Sequence, residues 1–123
     1  MPKRVLDIGN CSVDHGAISG MLTKQFGAEV IQAHGPEDSL VLLKQTHFDL
    51  VLVNRKLDQD YSDGLDIIHA MKADPQIAAV PVMLISNYPQ YQEEAIESGA
   101  LPGFGKKELY LDSTQENLSK LLK

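Results

Sequence analysis

A chain of 123 residues is about one domain, long enough to bury a core without disulfides or metals. A hydrophobic fraction of 43% excludes a disordered chain, and a formal net charge of −6 argues against non-specific binding to nucleic acid or anionic membrane, since both need a basic field. The single cysteine, Cys11, excludes an internal disulfide and a cysteine-rich metal site, and no apolar run approaches the roughly 20 residues of a membrane helix. Met1-Pro2-Lys3-Arg4 leads directly into an apolar stretch of strand length, with no signal-type core and no small-residue cleavage site. The expected location is therefore the cytoplasm.

Short apolar runs alternate with amphipathic stretches, without repeats or linkers, so residues 1–123 read as a single domain. Arg4 to Ile8 reads as a first strand, and Gly9 to Ser12 as a loop. A helix follows from about Val13 to Phe26, with Ile18, Met21, Leu22 and Phe26 on one face and Gly27 as its stop. Glu29 to Ala33 is a second, half-buried strand. Gly35-Pro36 turns the chain into a helix that carries Leu40, Leu42 and Leu43 and ends near Gln45, with Glu37 and Asp38 at its positive end. Asp49 to Val53 is continuously apolar after its first residue and reads as a central strand covered on both faces. A polar loop from Arg55 to Ser62 precedes a third helix, capped by Asp63 and running to about Ala73. Val80 to Ile85 is a fourth strand, Pro89 opens a fourth helix through Ser98, and Gly103-Phe104-Gly105 is a weak fifth strand. Ser113-Thr114-Gln115-Glu116 has capping-box spacing and places the start of a last helix.

Five strands alternating with five helices imply a parallel sheet with helices on both faces and right-handed crossovers. In such folds the chemistry lies beyond the C-terminal strand ends, at the switch in strand order. The residues placed there are Gly9 and Asn10, Asn54, Ser86 and Asn87, and Lys106.

From about Lys3 to Leu122 the sequence resembles the receiver domain of bacterial two-component response regulators. Phe48-Asp49-Leu50-Val51-Leu52-Val53-Asn54 is similar to the strand that presents the phosphorylated aspartate. Val80-Pro81-Val82-Met83-Leu84-Ile85-Ser86 is similar to the strand ending in the family's Thr/Ser, and Glu97-Ser98-Gly99-Ala100 followed by Lys106 to the approach to its lysine. The resemblance implies a flavodoxin-like three-layer sandwich with strand order 2-1-3-4-5. In that family an aspartate attacks phosphorus, two acids after the first strand hold magnesium, and the Thr/Ser and lysine grip the acyl phosphate.

The chain departs from that pattern where the chemistry lies. The metal-acid positions are Gly9 and Asn10, which together offer one neutral side-chain oxygen, a poor donor set for magnesium. The acceptor position is Asn54, whose delocalised amide is not a useful nucleophile. Ser86 and Lys106 are retained as anion-binding, switch-type residues. Lys107 replaces the usual proline, Gly103 replaces the aromatic switch residue with Phe104 one position off, and the Arg55–Gly64 loop is about two residues longer than usual. With Lys106 kept and Lys56 nearby, the pocket is expected to be neutral to positive, holding water or a small anion, with no cofactor and weak or absent magnesium binding.

The remaining polar residues have plainer readings. Asp49 begins its strand, at the wrong end of the sheet, and Asp58 and Asp60 read as solvated loop charges. Asp7 reads as a strand-end or partner-facing carboxylate and Asp14 as a first-turn acid favoured by the helix dipole. Cys11 and His15 share a helix face, but i, i+4 spacing alone is no catalytic signal, and Cys11 reads as a semi-buried structural thiol. His34, His47 and His69 lie in separate turns or helices without metal-ligand spacing.

The sequence thus points to a pseudo-receiver, an interaction module and not an enzyme, that works without aspartyl phosphorylation. By resemblance its partner is a histidine kinase, an output domain or another regulator, bound through the fourth helix, fifth strand and fifth helix, where Tyr88, Tyr91, Phe104 and Tyr110 gather. A homodimer through the same face is a further expectation; nucleic acid and membrane are not. The alternatives are a phospho-accepting regulator with a displaced acid, and a small enzyme or ligand-binding protein on the same fold. No output domain is expected within 123 residues.

Overall fold

Leu50-Val51-Leu52-Val53 is apolar at every position because the strand it forms is buried on both faces. The computed structural model describes residues 2–123; Met1, the first residue of the expected leaderless N-terminus, lies outside them. In chain order the elements are β1 (Arg4–Ile8), α1 (Ser12–Phe26), β2 (Glu29–Ala33), α2 (Pro36–Gln45), β3 (Leu50–Asn54), α3 (Leu65–Ala73), β4 (Val82–Ile85), α4 (Pro89–Glu97), β5 (Leu101–Phe104), a 3-10 turn (Lys106–Glu108) and α5 (Asp112–Leu122). All pairings are parallel and the sheet order is β2-β1-β3-β4-β5, the flavodoxin-like order expected.

Alternation of side chains along each strand divides the core in two. Leu6, Ile8, Val51, Val53, Val82 and Leu84 face one layer, with Leu43, Ile67, Ile68, Met71 and Ala95 from α2, α3 and α4. Val5, Leu50, Leu52, Met83 and Ile85 face the other, with Ile18, Met21 and Leu22 of α1 and Leu118 and Leu122 of α5. The N–H of Gly27, in the left-handed region at φ 63°, bonds to Thr23 and closes α1 as expected. Gly64, not Asp63, stands at the N-cap of α3; Asp63 lies one residue earlier, where its Oδ1 accepts the Leu65 N–H at 2.9 Å. Among the described residues no helix is long and apolar enough to cross a membrane.

Four boundaries differ from expectation, for local reasons. β3 starts one residue later and includes Asn54, because Asp49 is spent on the backbone N–H of Arg4 at 2.8 Å. β4 begins at Val82, since Pro81 has no N–H to give and contributes only its carbonyl, to Val51 N at 2.9 Å. β5 lies earlier, at Leu101–Phe104, with Pro102 tolerated because the strand is at the sheet edge. Gly105 falls outside it and donates to Glu108 Oε1 at 2.7 Å to open the 3-10 turn. α5 starts at Asp112, ahead of the capping-box sequence; Ser113 caps nothing, because the Leu111 carbonyl already accepts Gln115 N at 3.0 Å.

Three glycines test this packing. A Cβ at Gly64 would overlap the carbonyl oxygen of Asn54 and come within 2.8 Å of Val53 Cγ1, whereas Gly16 and Gly20 of α1 have nothing near them. Gly64→Ala should lower stability by about 1–3 kcal/mol through overpacking. Gly16→Ala and Gly20→Ala should each add about 0.5–1 kcal/mol by removing helix-interior glycine. Urea midpoints of the three variants check both signs.

Candidate functional site

β1 and β3 lie side by side, with Ile8 opposite Val53, so Gly9 and Asn54 meet just beyond the sheet. Gly9 turns away from β1 with φ 79°, a conformation glycine adopts freely. Its N–H donates to Ala33 O at 2.9 Å, and its carbonyl accepts Asn54 Nδ2 at 3.1 Å and Asp58 N at 3.0 Å. Asn54 Nδ2 also donates to Lys56 O at 2.7 Å. The amide is therefore a cross-brace: its two N–H bonds satisfy two main-chain carbonyls. A carboxylate in the same place would set oxygen against both, which only a proton or a cation would relieve.

The long loop after β3 explains what lies over Gly9. Lys56 and Asp63 form an antiparallel bridge, Leu57 N bonds to Ser62 O at 2.9 Å, Tyr61 N to Leu57 O at 2.9 Å, and Gly64 N to Arg55 O at 2.8 Å. This small hairpin turns Leu57 inward, where it is 2% exposed. A Cβ at Gly9 would lie inside the Leu57 side chain and 3.3 Å from Leu57 Cα. Any larger residue at position 9 would thus collide with an apolar side chain. In the sequence the only signal at Leu57 is that it is the one aliphatic residue in a polar loop.

Asn10 is fully buried; its Nδ2 donates to Asp7 Oδ1 at 2.5 Å, its Oδ1 has no hydrogen-bond partner among the described residues, and its carbonyl accepts Gln32 Nε2 at 3.1 Å. Asp7 is not the strand-end or partner-facing carboxylate expected. It is fully buried, because its side chain points to the α1 face of β1, where Oδ2 meets His15 Nδ1 at 2.6 Å. Burial pushes the Asp7 carboxyl above its ordinary 3.8, against the opposing pull of His15 and Asn10. Asp14 does sit in the first turn of α1, but it does more than meet the dipole: Oδ2 accepts Lys106 Nζ at 2.7 Å, and that bond holds its carboxyl below the ordinary range. Cys11 is exposed, not semi-buried, since it stands outside the helix start; its Sγ lies 3.4 Å from Asp14 Oδ2, and His15 turns to Asp7.

Ser86 follows β4, with its N–H on Phe104 O at 3.0 Å and its Oγ accepting Tyr88 N at 3.2 Å. Gln92, unnoticed in the sequence, holds α4 to the sheet: Nε2 donates to Leu84 O at 2.9 Å and Ser86 O at 3.2 Å, and Oε1 accepts Gly103 N at 3.0 Å. A Cβ at Gly103 would overlap the Leu84 carbonyl, so a larger residue has no room there. Phe104, expected with the aromatics of the partner face, is instead a core residue at 3% exposure, because its side chain points to the layer formed with α1 and α5.

Asn54, Ser86 and Lys106 line one cavity of about 580 Å³ at the C-terminal edge of the sheet. Its charged lining is Arg55, Lys56 and Lys106 against Asp58. Asp58 is not a remote solvated charge, since the hairpin brings it to the cavity wall, 3.5 Å from His34 Nδ1. Asp60 does stay exposed, bonding Ser62, and Asp49 lies at the opposite sheet end beside His47. His69 bonds Ser98 Oγ at 2.8 Å. Among the described residues no three His, Cys, Asp or Glu side chains converge as metal ligands.

No protein-family model matches the chain. It is 25% identical over 107 residues to a gliding motility regulatory protein of Myxococcus xanthus, covering 85% of this chain and 14% of that protein. It is 30% identical over 113 residues to the transcriptional regulatory protein ZraR of Salmonella typhimurium, covering 89% of this chain. The chain thus spans only 24% of the length of ZraR. Among solved structures, the signal receiver domain of a DNA-binding response regulator from Colwellia psychrerythraea superposes with a TM-score of 0.79 at 23% identity, covering 97% of each chain. The chemotaxis response regulator CheY4 of Vibrio cholerae superposes with a TM-score of 0.74 at 18% identity, covering 99% of this chain and 100% of that one.

Two substitutions test the electrostatics. Asn54→Asp should cost about 1–3 kcal/mol at neutral pH, because two carbonyls lose donors and face charge. The new carboxyl is expected to bind its proton more tightly folded than unfolded, so its penalty should grow as pH rises through the window above the ordinary carboxylate value. Asp7 follows the same sign in the native protein: its raised carboxyl favours folding below that window and loses the advantage as pH rises. Asp7→Asn, which cannot titrate, should therefore gain stability relative to the native chain as pH rises above the ordinary carboxylate value of about 4. Urea midpoints measured as pH rises above that value check both slopes.

Proposed function

Starting from a chain that has the fold of a response-regulator receiver domain, we propose that it is a pseudo-receiver in two-component signalling, changing state by protein contact and not by aspartyl phosphorylation. One observation carries this reading. Asn54, at the acceptor position, donates both amide hydrogens to the carbonyls of Gly9 and Lys56, under a loop that fills the first acid's place with Leu57. A nucleophile and a divalent cation are replaced by a neutral hydrogen-bonded brace.

Magnesium does not fit this donor set. Gly9 has no side chain, the Asn54 amide turns nitrogen inward, and Asp7 is engaged by Asn10 and His15. The buried Asn10 Oδ1 is a single neutral oxygen, far short of a near-octahedral shell. Signalling then rests on the face of α4, β5 and α5, where Tyr88, Ile96, Leu101, Tyr110 and Leu111 are exposed. Exposed aromatic and aliphatic side chains on one face suit a protein partner, a histidine kinase, an output domain or another regulator, or a second copy of the chain.

A second reading has one observation in its favour. The lysine that resembles the family's phosphate grip holds a carboxylate, Asp14, at 2.7 Å, and this acid is a third exposed. Phosphoryl transfer to a displaced acid would use that residue.

Intact mass after incubation with acetyl phosphate and magnesium separates the two, with Asn54→Asp and Asp14→Asn run alongside. No phosphoryl adduct on the native chain is expected. An adduct abolished by Asp14→Asn would replace the first reading with the second. Calorimetric magnesium binding at sub-millimolar concentration would also overturn the neutral-brace assignment.

A further inference from the structure

The 580 Å³ cavity beside Asn54 has more in it than the remains of a phosphate site. Its volume falls within the range of small-molecule pockets. Three tyrosines line it: Tyr61 from the loop hairpin, and Tyr88 and Tyr91 from the start of α4. Tyr88 and Tyr91 meet edge to face with centroids 5.9 Å apart, and the Arg55 guanidinium lies 4.1 Å over the Tyr91 ring. Tyr91 is thus already stacked, while Tyr61 and Tyr88 are 73% and 60% exposed.

Tyr61 is the unusual member. It is the only described non-glycine residue at positive φ, 60°, where asparagine or glycine would sit with less strain. A large aromatic side chain in water and in a disfavoured backbone region gains nothing for the core. Such strain gathers where a side chain must be presented. Ser86, Lys106 and Lys56 line the same cavity. Lys106 spends one of its three donors on Asp14, and Ser86 Oγ accepts from Tyr88 N, which leaves its hydrogen to donate. Neutral Asn54 at the floor removes the repulsion that a carboxylate would exert on an anion.

We propose that this cavity binds a small aromatic anion, its ring against Tyr61 and Tyr88 and its carboxylate or phosphate-type group at Lys106, Lys56 and Ser86. The proposal rests on the pseudo-receiver reading only in requiring that position 54 carries no phosphoryl group. It gives the domain a chemical input at the base of α4, whose first residues line the same cavity.

Phenylphosphonate is a suitable probe, because its phosphorus–carbon bond cannot donate a phosphoryl group. Binding followed by amide NMR shifts is expected to be saturable, and at least ten-fold tighter than for methylphosphonate or benzyl alcohol. Tyr61→Asn, which suits the left-handed turn, should keep or raise Tm yet weaken phenylphosphonate at least ten-fold. Lys106→Gln should weaken it while sparing benzyl alcohol. Equal affinity for phenylphosphonate and methylphosphonate would reduce the cavity to an anion site and overturn the proposal. So would the absence of saturable binding, or full affinity in Tyr61→Asn. A covalent phosphoryl adduct in the mass experiment would sink the pseudo-receiver reading instead, a readout this probe cannot produce.

Discussion

The carbonyl oxygen of Gly9 is the point on which the C-terminal end of the sheet turns. It accepts the Asn54 amide and the Asp58 N–H together, so β1, β3 and the loop after β3 share one acceptor. Buried main-chain carbonyls must find donors. In this chain a neutral side chain and the loop backbone supply them. That solution needs asparagine, or another neutral donor, at position 54. It also fixes the loop closely enough for Leu57 to settle over Gly9. The two parts act by different means: the amide directs its hydrogens at the Gly9 and Lys56 carbonyls, and Leu57 fills the volume beside Gly9.

Positions 9, 10 and 54 carry no acid, but two acids lie nearby on the α1 side. Asp7 holds His15 and Asp14 holds Lys106, so carboxylates at this end of β1 and α1 are committed to internal pairs. The two pairs differ in kind. Asp7 is fully buried, where desolvation offsets much of the attraction, and its hydrogen bonds serve to fix the His15 ring. Asp14 and Lys106 are each about one-third exposed, so solvent screens their attraction and the contact mainly orients the lysine.

Most of the fold was legible in the sequence because its signals are local. The apolar run ending at Val53 had to be a central strand, and Gly27 and Pro36 mark helix ends by backbone geometry that any environment would impose. The positions flanking the strand ends, Gly9, Asn10, Asn54, Ser86 and Lys106, followed from strand order and resemblance. What those residues touch did not follow, since it depends on partners far away in sequence. Asp14 and Lys106 are 92 residues apart, and nothing at either position announces the other. The same holds for Gln92, whose three bonds depend on how α4 lies on the sheet. The edge strand β5 and the start of α5 were misplaced because edge pairing at Pro102 and the Leu111 carbonyl override local propensity.

The Gln92 contacts bear on how such a domain changes state. They join α4, β4 and β5 through an uncharged side chain, at a glycine whose place leaves no room for anything larger. Neither salt nor moderate changes in pH weakens a neutral hydrogen bond of this kind directly. On the proposed function, a signal would act by competing for those bonds or by shifting the first turn of α4, which Pro89 starts and Ser86 Oγ anchors through the N–H of Tyr88. Tyr88 and Tyr91 lie on that turn and on the cavity wall together, so a group entering the cavity and a protein covering the exposed face would press on the same few residues. Those two events are coupled to the extent that each favours one placement of that turn.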